Sequence, residues 1–364
     1  MKKLLKTLLA ILLALIVIAG GYLAYVFIAY YRLDDNLNLP IYTSNPILPA
    51  DSDKAYRIVS WNIGFGAYED DYGFFMDGGT QSWAWSRERL YANLENIGLK
   101  LADENADFLL VQEIDINSTR SYHVDEFTFL LNILSLSHKY SHVFAQNYDS
   151  PFLFYPLTQP HGASKAGIGT YSEYAISSAV RRSLPIETGF TKLIDLDRCY
   201  SVSRFPMHDG SQIVDRELVL YNLHLSAYTS DGTIATEQLK LLLADMQAEY
   251  EKGNYTIAGG DFNKDILGDS SVYFGASDIE YTWAQPIPAD TFDGVDIRLV
   301  APIHEDDPVP SCRNADSAYH EGQYVLTVDG FLVSPNVTVK DANVVDYAFK
   351  YSDHNPVYMG FMLE

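Results

Sequence analysis

The sequence predicts an α/β body carried on an N-terminal transmembrane helix, and three features point there. From Thr7 to Tyr31 no charge occurs, about the length a helix needs to cross roughly 30 Å of hydrocarbon. Beyond that stretch, short apolar runs recur, each closed by a carboxylate, a carboxamide or an imidazole. Between the runs lie longer segments whose apolar residues return with the helical period. A content of 27 Tyr and 18 Phe suits the strand-rich part.

Lys2, Lys3 and Lys6 precede the uncharged stretch, and Tyr22, Tyr25, Tyr30 and Tyr31 cluster toward its far end. The positive-inside rule places the N-terminus in the cytoplasm. The expectation is a single-pass protein of the cell membrane whose body is extracytoplasmic. A cleaved signal peptide is the competing reading, but the apolar run exceeds a usual h-region and no A-x-A site stands out. Residues 1–32 form the basic end and anchor, and 33–55, with Pro40, Pro46 and Pro49, read as an extended linker. Residues 56–364 form the body, which at this length can bury one large core.

Within the body, Arg57–Asn62 is a short strand followed by the glycine-rich exit IGFG. Asn62 stands at its C-terminal end, where α/β sheets place ligands, although an Asn before Gly64 can also start a turn. Tyr68–Gly79 reads as a surface loop that overhangs the site. Ser86 can cap a helix with Leu90, Leu94, Ile97 and Leu101 on one face, ending near Asn105. Phe108–Glu113 is a continuous apolar run that fits a buried strand. The acid at its tip, Glu113, needs a metal ion or a neighbouring cation.

Asp125–Ser137 reads as helix, Tyr148–Pro160 as an aromatic, proline-punctuated loop, and Gly167–Ser177 as strand. Arg181, Arg182, Lys192, Arg198 and Arg204 concentrate positive charge and either meet an anionic substrate or are solvated. Glu217–His224 is a strand that ends on Asn222 and His224. Ile234–Lys252 is a helix with Leu239, Leu242, Leu243 and Met246 inward, stopped by Gly253. In Tyr255–Asn263, YTIAGGDFN, alternate side chains of a strand share a face. Asp261 and Asn263 therefore point at one spot if extended geometry continues past Gly260. Tyr324–Ser334 places Asp329 among apolar neighbours, where an acid needs a partner. Asp353 and His354 precede a last apolar run, VYMGFML, that can close a sheet.

Twenty-five basic against 48 acidic residues give −23. Residues 1–32 contribute four bases and no acid, so the remainder carries −27. Such a surface repels polyphosphates and argues against a general nucleic-acid binder. Cys199 and Cys312 are too few for a disulfide framework. Collected, the polar strand ends are Asn62, Glu113, His224, Asp261, Asn263, Asp329, Asp353 and His354. Hard oxygens and two imidazoles, without thiolates, favour Mg2+, Mn2+ or Ca2+ over zinc. Such a set can hold a cation on a phosphate oxygen, orient a water and protonate a leaving alkoxide.

The motifs SWNIG, VQEID, YNLHLSA, GGDFN, VDGFLVS and SDHNPV, in that order, resemble the endonuclease/exonuclease/phosphatase superfamily from about Tyr56 to the C-terminus. The resemblance implies a DNase I-like four-layered α/β sandwich, two facing mixed sheets flanked by helices. It implies that Asn62 and Glu113 help to bind catalytic Mg2+ (or Mn2+), with Glu113 the direct ligand and Asp353 a further metal or water ligand. It also implies that Asp261 activates the attacking water and Asn263 holds a phosphate oxygen. Asp329 would orient His354 at the scissile phosphate, with His224 a general acid or phosphate contact. His224 stands where apurinic endonucleases usually carry Tyr, which argues against DNA repair. The strand GIGTYSEYAIS lacks the family's usual Asn, and VDGF replaces an acid-Tyr pair, so substrate contacts differ. The expected function is a divalent-metal-dependent phosphoesterase acting on a lipid or small-molecule phosphodiester. An extracytoplasmic nuclease and a silent binding module are the alternatives.

Overall fold

Two pairs of parallel strands lie at the centre of the fold in the computed structural model of the chain. The structure describes residues 2–43, 49–52, 54–186, 197–227, 233–275, 283–304 and 306–364. Lys192 and Pro46 lie outside them. The helices are α1 (Lys2–Ala29), α2 (Arg87–Asp103), α3 (Glu126–Leu134), α4 (Thr233–Glu251) and the short α5 (Ser271–Phe274). The strands are β1 (Leu37–Asn38), β2 (Tyr42–Thr43), β3 (Ala50–Asp51), β4 (Ala55–Asn62), β5 (Phe108–Asp115), β6 (Ser141–Leu153), β7 (Gly162–Ser172), β8 (Ser178–Ser183) and β9 (Cys199–His208). They continue with β10 (Ile213–His224), β11 (Tyr255–Asp261), β12 (Arg298–Val300), β13 (Cys312–Arg313), β14 (Val325–Leu326), β15 (Asp329–Val333), β16 (Val337–Val344) and β17 (Val357–Leu363).

One sheet runs β16-β17-β4-β5-β7-β6-β2 and the other β1-β8-β9-β10-β11-β15-β12, with β3 added on β9. Each is mixed: β4 and β5 are parallel in the first and β10 and β11 in the second. Strand alternation then sorts the layers. Ile58, Phe108 and Leu110 of one sheet and Leu218, Leu220, Ile257 and Phe331 of the other share the core between the sheets. The intervening residues face outward: Val59, Trp61, Leu109 and Val111 meet Leu90, Leu94, Ile97, Leu101 and Leu130 of α2 and α3. Val219, Tyr221 and Leu223 meet Leu239, Leu242, Leu243 and Met246 of α4. The result is the predicted four-layered sandwich.

Local signals place the helices as expected. The Ser86 side chain accepts from Arg89 N–H, Asp125 accepts from Thr128 N–H, and Gly253 follows α4 at φ 91°. Three expectations change. Tyr148–Leu153, read as loop, continues β6, because a long antiparallel hairpin with β7 absorbs the irregular residues in two bulges. The linker is extended, but its described residues pair as edge strands β1, β2 and β3 instead of hanging free. In the loop over Tyr68–Gly79, Tyr68, Tyr72 and Phe74 are buried, Tyr68 and Tyr72 packing edge-on against Phe65 and Phe74 against Tyr68, so its aromatic half is core.

Helix α1 is long and apolar enough to cross a membrane. Only Val26 of it is buried. Near its end Tyr22 Oη donates to the Phe152 carbonyl at 3.2 Å, and Tyr25 Oη accepts from Phe152 N–H at 3.1 Å.

Candidate active site

The inner face that is apolar in mid-sheet turns polar toward one end of both sheets. First comes a fully buried seam: Gln112 Nε2 donates to Asn222 Oδ1 at 2.8 Å and lies 3.1 Å from Ser60 Oγ, and Asn222 Nδ2 donates to the Gly169 carbonyl at 2.8 Å. These side chains join the two sheets. One strand step further, Asn62, His224 and Asp261 lie on the same inner face, with Asp329 opposite Asp261 in the antiparallel register.

Glu113 reaches the site by a different route. As the residue after inward-facing Gln112 it belongs on the outer face, but it adopts φ 53° at a bulge between Val111 and Ile114. The left-handed residue turns the carboxylate inward. Asn62 then links the two carboxylates: its Nδ2 donates to Glu113 Oε1 at 3.1 Å and to Asp261 Oδ2 at 3.0 Å. Its oxygen accepts from Gly64 N–H at 3.0 Å. Asn62 therefore presents its NH2 group to the site and orients the two carboxylates. Asn263 also departs from expectation. At φ 49° it breaks the extended geometry, its N–H donates to Asp261 Oδ1 at 2.8 Å, and its Nδ2 donates to the Leu225 carbonyl at 2.7 Å. The second Nδ2 hydrogen remains for another acceptor.

His354 Nδ1 lies 2.8 Å from Asp329 Oδ2, which also accepts from Ser311 Oγ at 2.7 Å. The loop carrying His354 is clamped by Trp61 Nε1 on its carbonyl at 2.8 Å and by Arg313 N–H on the Asp353 carbonyl at 2.9 Å. His354 Nε2 faces Cys312 Sγ at 3.5 Å and Asp261 Oδ2 at 3.9 Å. His224 Nε2 is 3.5 Å from Asp261 Oδ2 and 3.8 Å from Glu113 Oε1.

The eight strand-end residues thus meet one another directly or line one hollow of about 170 Å3. Glu113, His224, Asp261, Asn263, Asp353 and His354 line it, Asn62 underlies the carboxylates, and Asp329, the eighth, stands behind His354.

The imidazoles are driven apart in charge. Burial alone would deprotonate His354, but the Asp329 charge, together with Cys312 and the hydrogen bonds, holds it well above its usual value. Burial pushes His224 well below, reinforced by the positive Arg198 and His354. Burial, opposed by His354 and reinforced by Asp329, lifts Asp261 to about 7. Asp353 rises to about 6 through burial, with His354 opposing and Glu113 adding. Burial pushes the Cys312 thiol up to about 12, so it stays protonated at neutral pH.

This donor set fits a hard divalent cation, because Glu113, Asp261 and Asp353 turn carboxylates to one hollow whose two sulfurs among the described residues are the Met76 thioether and the protonated Cys312 thiol, both poor partners for such an ion. Asp261, Asp329 and His354 also bring one donor atom each within 4.8 Å of one another. His354 Nδ1 is occupied by Asp329, so the carboxylates left facing the hollow are the better cation donors.

Of the described members of the basic cluster, only Arg198 lines the hollow, and it is buried. Arg181 is held by Asp197 and the Gln146 carbonyl, Arg182 by Asp35 and Asp245, and Arg204 by Glu217 and Glu249. Residues not anticipated are Arg120, which pairs with Asp115 through two 3.0 Å bonds, along with Asn147, His161, Trp283 and Cys312. None lies at a strand's polar end, the signal that found the others. Both cysteines are free.

A four-layered sandwich with carboxylates and imidazoles gathered at one end of both sheets defines a DNase I-like hydrolase. The sequence matches the Endonuclease/Exonuclease/phosphatase family over residues 59–354, and the chain belongs to that family, whose members are phosphoester hydrolases. No curated protein sequence matches it. Among solved structures it is similar to an endonuclease/exonuclease/phosphatase from Beutenbergia cavernae DSM 12333 (16% identity, 85% of this chain and 72% of that one, TM-score 0.57). It is also similar to the human Nocturnin catalytic domain with bound sulfate (16%, 90% and 98%, 0.51). A third is ANGEL2, a 2′,3′-cyclic phosphatase (15%, 89% and 98%, 0.53).

Proposed function

We propose that the protein is a divalent-metal-dependent phosphoesterase, anchored in the cell membrane by α1, that hydrolyses a lipid or small-molecule phosphodiester outside the cytoplasm. The observation that carries the reading is the Asn62 amide joining Glu113 to Asp261 in a hollow that His354 also lines. Mg2+ or Mn2+ would be held by Glu113 with Asp353, and when bound it neutralises charge on a phosphoryl oxygen. Asp261, lifted toward neutrality by burial, takes the proton of the attacking water. His354, kept charged by Asp329, stabilises the negative charge that develops at phosphorus. Neutral His224 and the second Nδ2 hydrogen of Asn263 contact phosphate oxygens. The charge of −27 on the chain beyond residue 32 supports a small or lipid phosphodiester over a long nucleic acid.

The test is a panel of bis(p-nitrophenyl) phosphate, phospholipid vesicles and duplex DNA, each with and without EDTA, wild type beside His354→Ala. EDTA-sensitive hydrolysis of the diester or the phospholipid is expected, falling about 10²- to 10⁴-fold in the variant. DNA nicking without headgroup release overturns the substrate preference. No EDTA-sensitive hydrolysis of any substrate leaves a binding module.

A further inference from the structure

Beside the foot of α1 the body exposes an apolar tip. After β6, Phe154, Tyr155 and Leu157 are 53%, 71% and 85% exposed. On a soluble protein, large side chains so exposed and so close in sequence mark an interaction surface. What the tip faces follows from the helix. With Lys2, Lys3 and Lys6 at the polar end, a span beginning at Thr7 covers roughly 30 Å by about residue 26. Tyr22 and Tyr25, one on each side of the Phe152 peptide, therefore lie at the far membrane boundary. The Tyr22 ring also meets Phe154 edge-on at 5.2 Å. The tip and the emerging helix are thus at one height.

The same tip lies outside the hollow but rests against its wall. Phe75 packs against Tyr155 at 5.7 Å, and its neighbours Phe74 and Met76 line the hollow. The base of the tip is fixed where Trp83 Nε1 donates to the Pro160 carbonyl at 2.7 Å and Ser82 N–H to Gln159 Oε1 at 2.9 Å.

We infer that Phe154, Tyr155 and Leu157 insert into the bilayer surface beside α1, so that the hollow opens onto the membrane and takes its phosphodiester from a lipid headgroup. Aromatic side chains favour that boundary. The acidic body has no electrostatic attraction to an anionic leaflet, so apolar insertion is the term that holds the mouth down. The substrate half of this inference rests on the phosphoesterase reading; the insertion half does not.

The full-length protein is reconstituted in phosphatidylcholine vesicles with Leu157→Cys carrying an environment-sensitive dye. Cys199 and Cys312 are 0% and 1% exposed, so labelling is selective. Nitroxides on the lipid acyl chains should quench the dye, and adding Phe154→Asp with Tyr155→Asp should remove most of that quenching. An unquenched dye overturns insertion. In the same vesicles, the double variant without the label should hydrolyse a fluorescent-headgroup phosphatidylcholine roughly tenfold more slowly. Its rate on soluble bis(p-nitrophenyl) phosphate should stay within about twofold. An equal fall on both substrates, or none on either, overturns the lipid assignment. A wild-type protein that hydrolyses neither sinks the phosphoesterase reading, and quenching still decides insertion.

Discussion

Asp329 shows how one buried carboxylate sets the chemistry of a residue 25 positions away. It accepts from His354 Nδ1 and Ser311 Oγ, and its charge keeps the imidazole protonated against the pull of burial. In Asp329→Asn the hydrogen bonds can persist while the charge is gone, so the folded pKa of His354 should fall. If charged His354 is the active form, activity is lost as pH rises through that pKa, and the loss should begin at lower pH in the variant. A pH–rate profile on a soluble phosphodiester should show the basic limb displaced downward and kcat reduced about tenfold or more. An unmoved limb would show that Asp329 only packs.

Helix α4 is held against β9 and β10 by more than its apolar stripe. Glu249, near its C-terminal end, accepts from Arg204 Nη2 at 2.6 Å, Lys252 Nζ at 2.7 Å and Asn254 Nδ2 at 2.7 Å. Burial alone would raise this carboxyl, but those donors outweigh it and bring the pKa from 4.5 down to about 2. A depressed folded pKa means that the stabilisation is complete above 4.5 and disappears as pH falls toward 2. Glu249→Gln should cost about 1–3 kcal/mol at pH 7. Thermal melts should show the gap between wild type and variant closing below pH 4.5, and a gap constant with pH would refute the assignment.

At the scale of the whole molecule, both sheets end in acid at one place. Glu113, Asp261 and Asp353 share a hollow in a chain that already carries −27 beyond residue 32. A cation that binds only the folded chain stabilises it, by about 2.7 kcal/mol at 100 times its Kd. Magnesium should therefore raise Tm by a few degrees, roughly as that free energy dictates, and EDTA should reverse it. Glu113→Gln should lose most of the increment. Calorimetry on the detergent-solubilised chain measures this without any substrate, and a Tm indifferent to magnesium would argue against the proposed cation.

Much of this was legible in the residues because strand alternation is local. Ile58, Ser60 and Asn62, or Leu220, Asn222 and His224, must share a face once they are extended, and the helices between declare themselves by period and cap. That was enough for the layers, the apolar membrane-length helix and the gathering of polar side chains at one end of the strands. What the letters could not decide depends on backbone twist and on partners far along the chain. Glu113 faces the hollow only because a bulge and a left-handed φ reverse its side. Asn62 gives its NH2 to the carboxylates only because Gly64 N–H claims its oxygen. Arg198 lines the hollow while Arg181, Arg182 and Arg204 are consumed by acids from other elements. The sequence determined which groups were available, and tertiary packing decided which way each of them points, since direction depends on neighbours that only folding supplies.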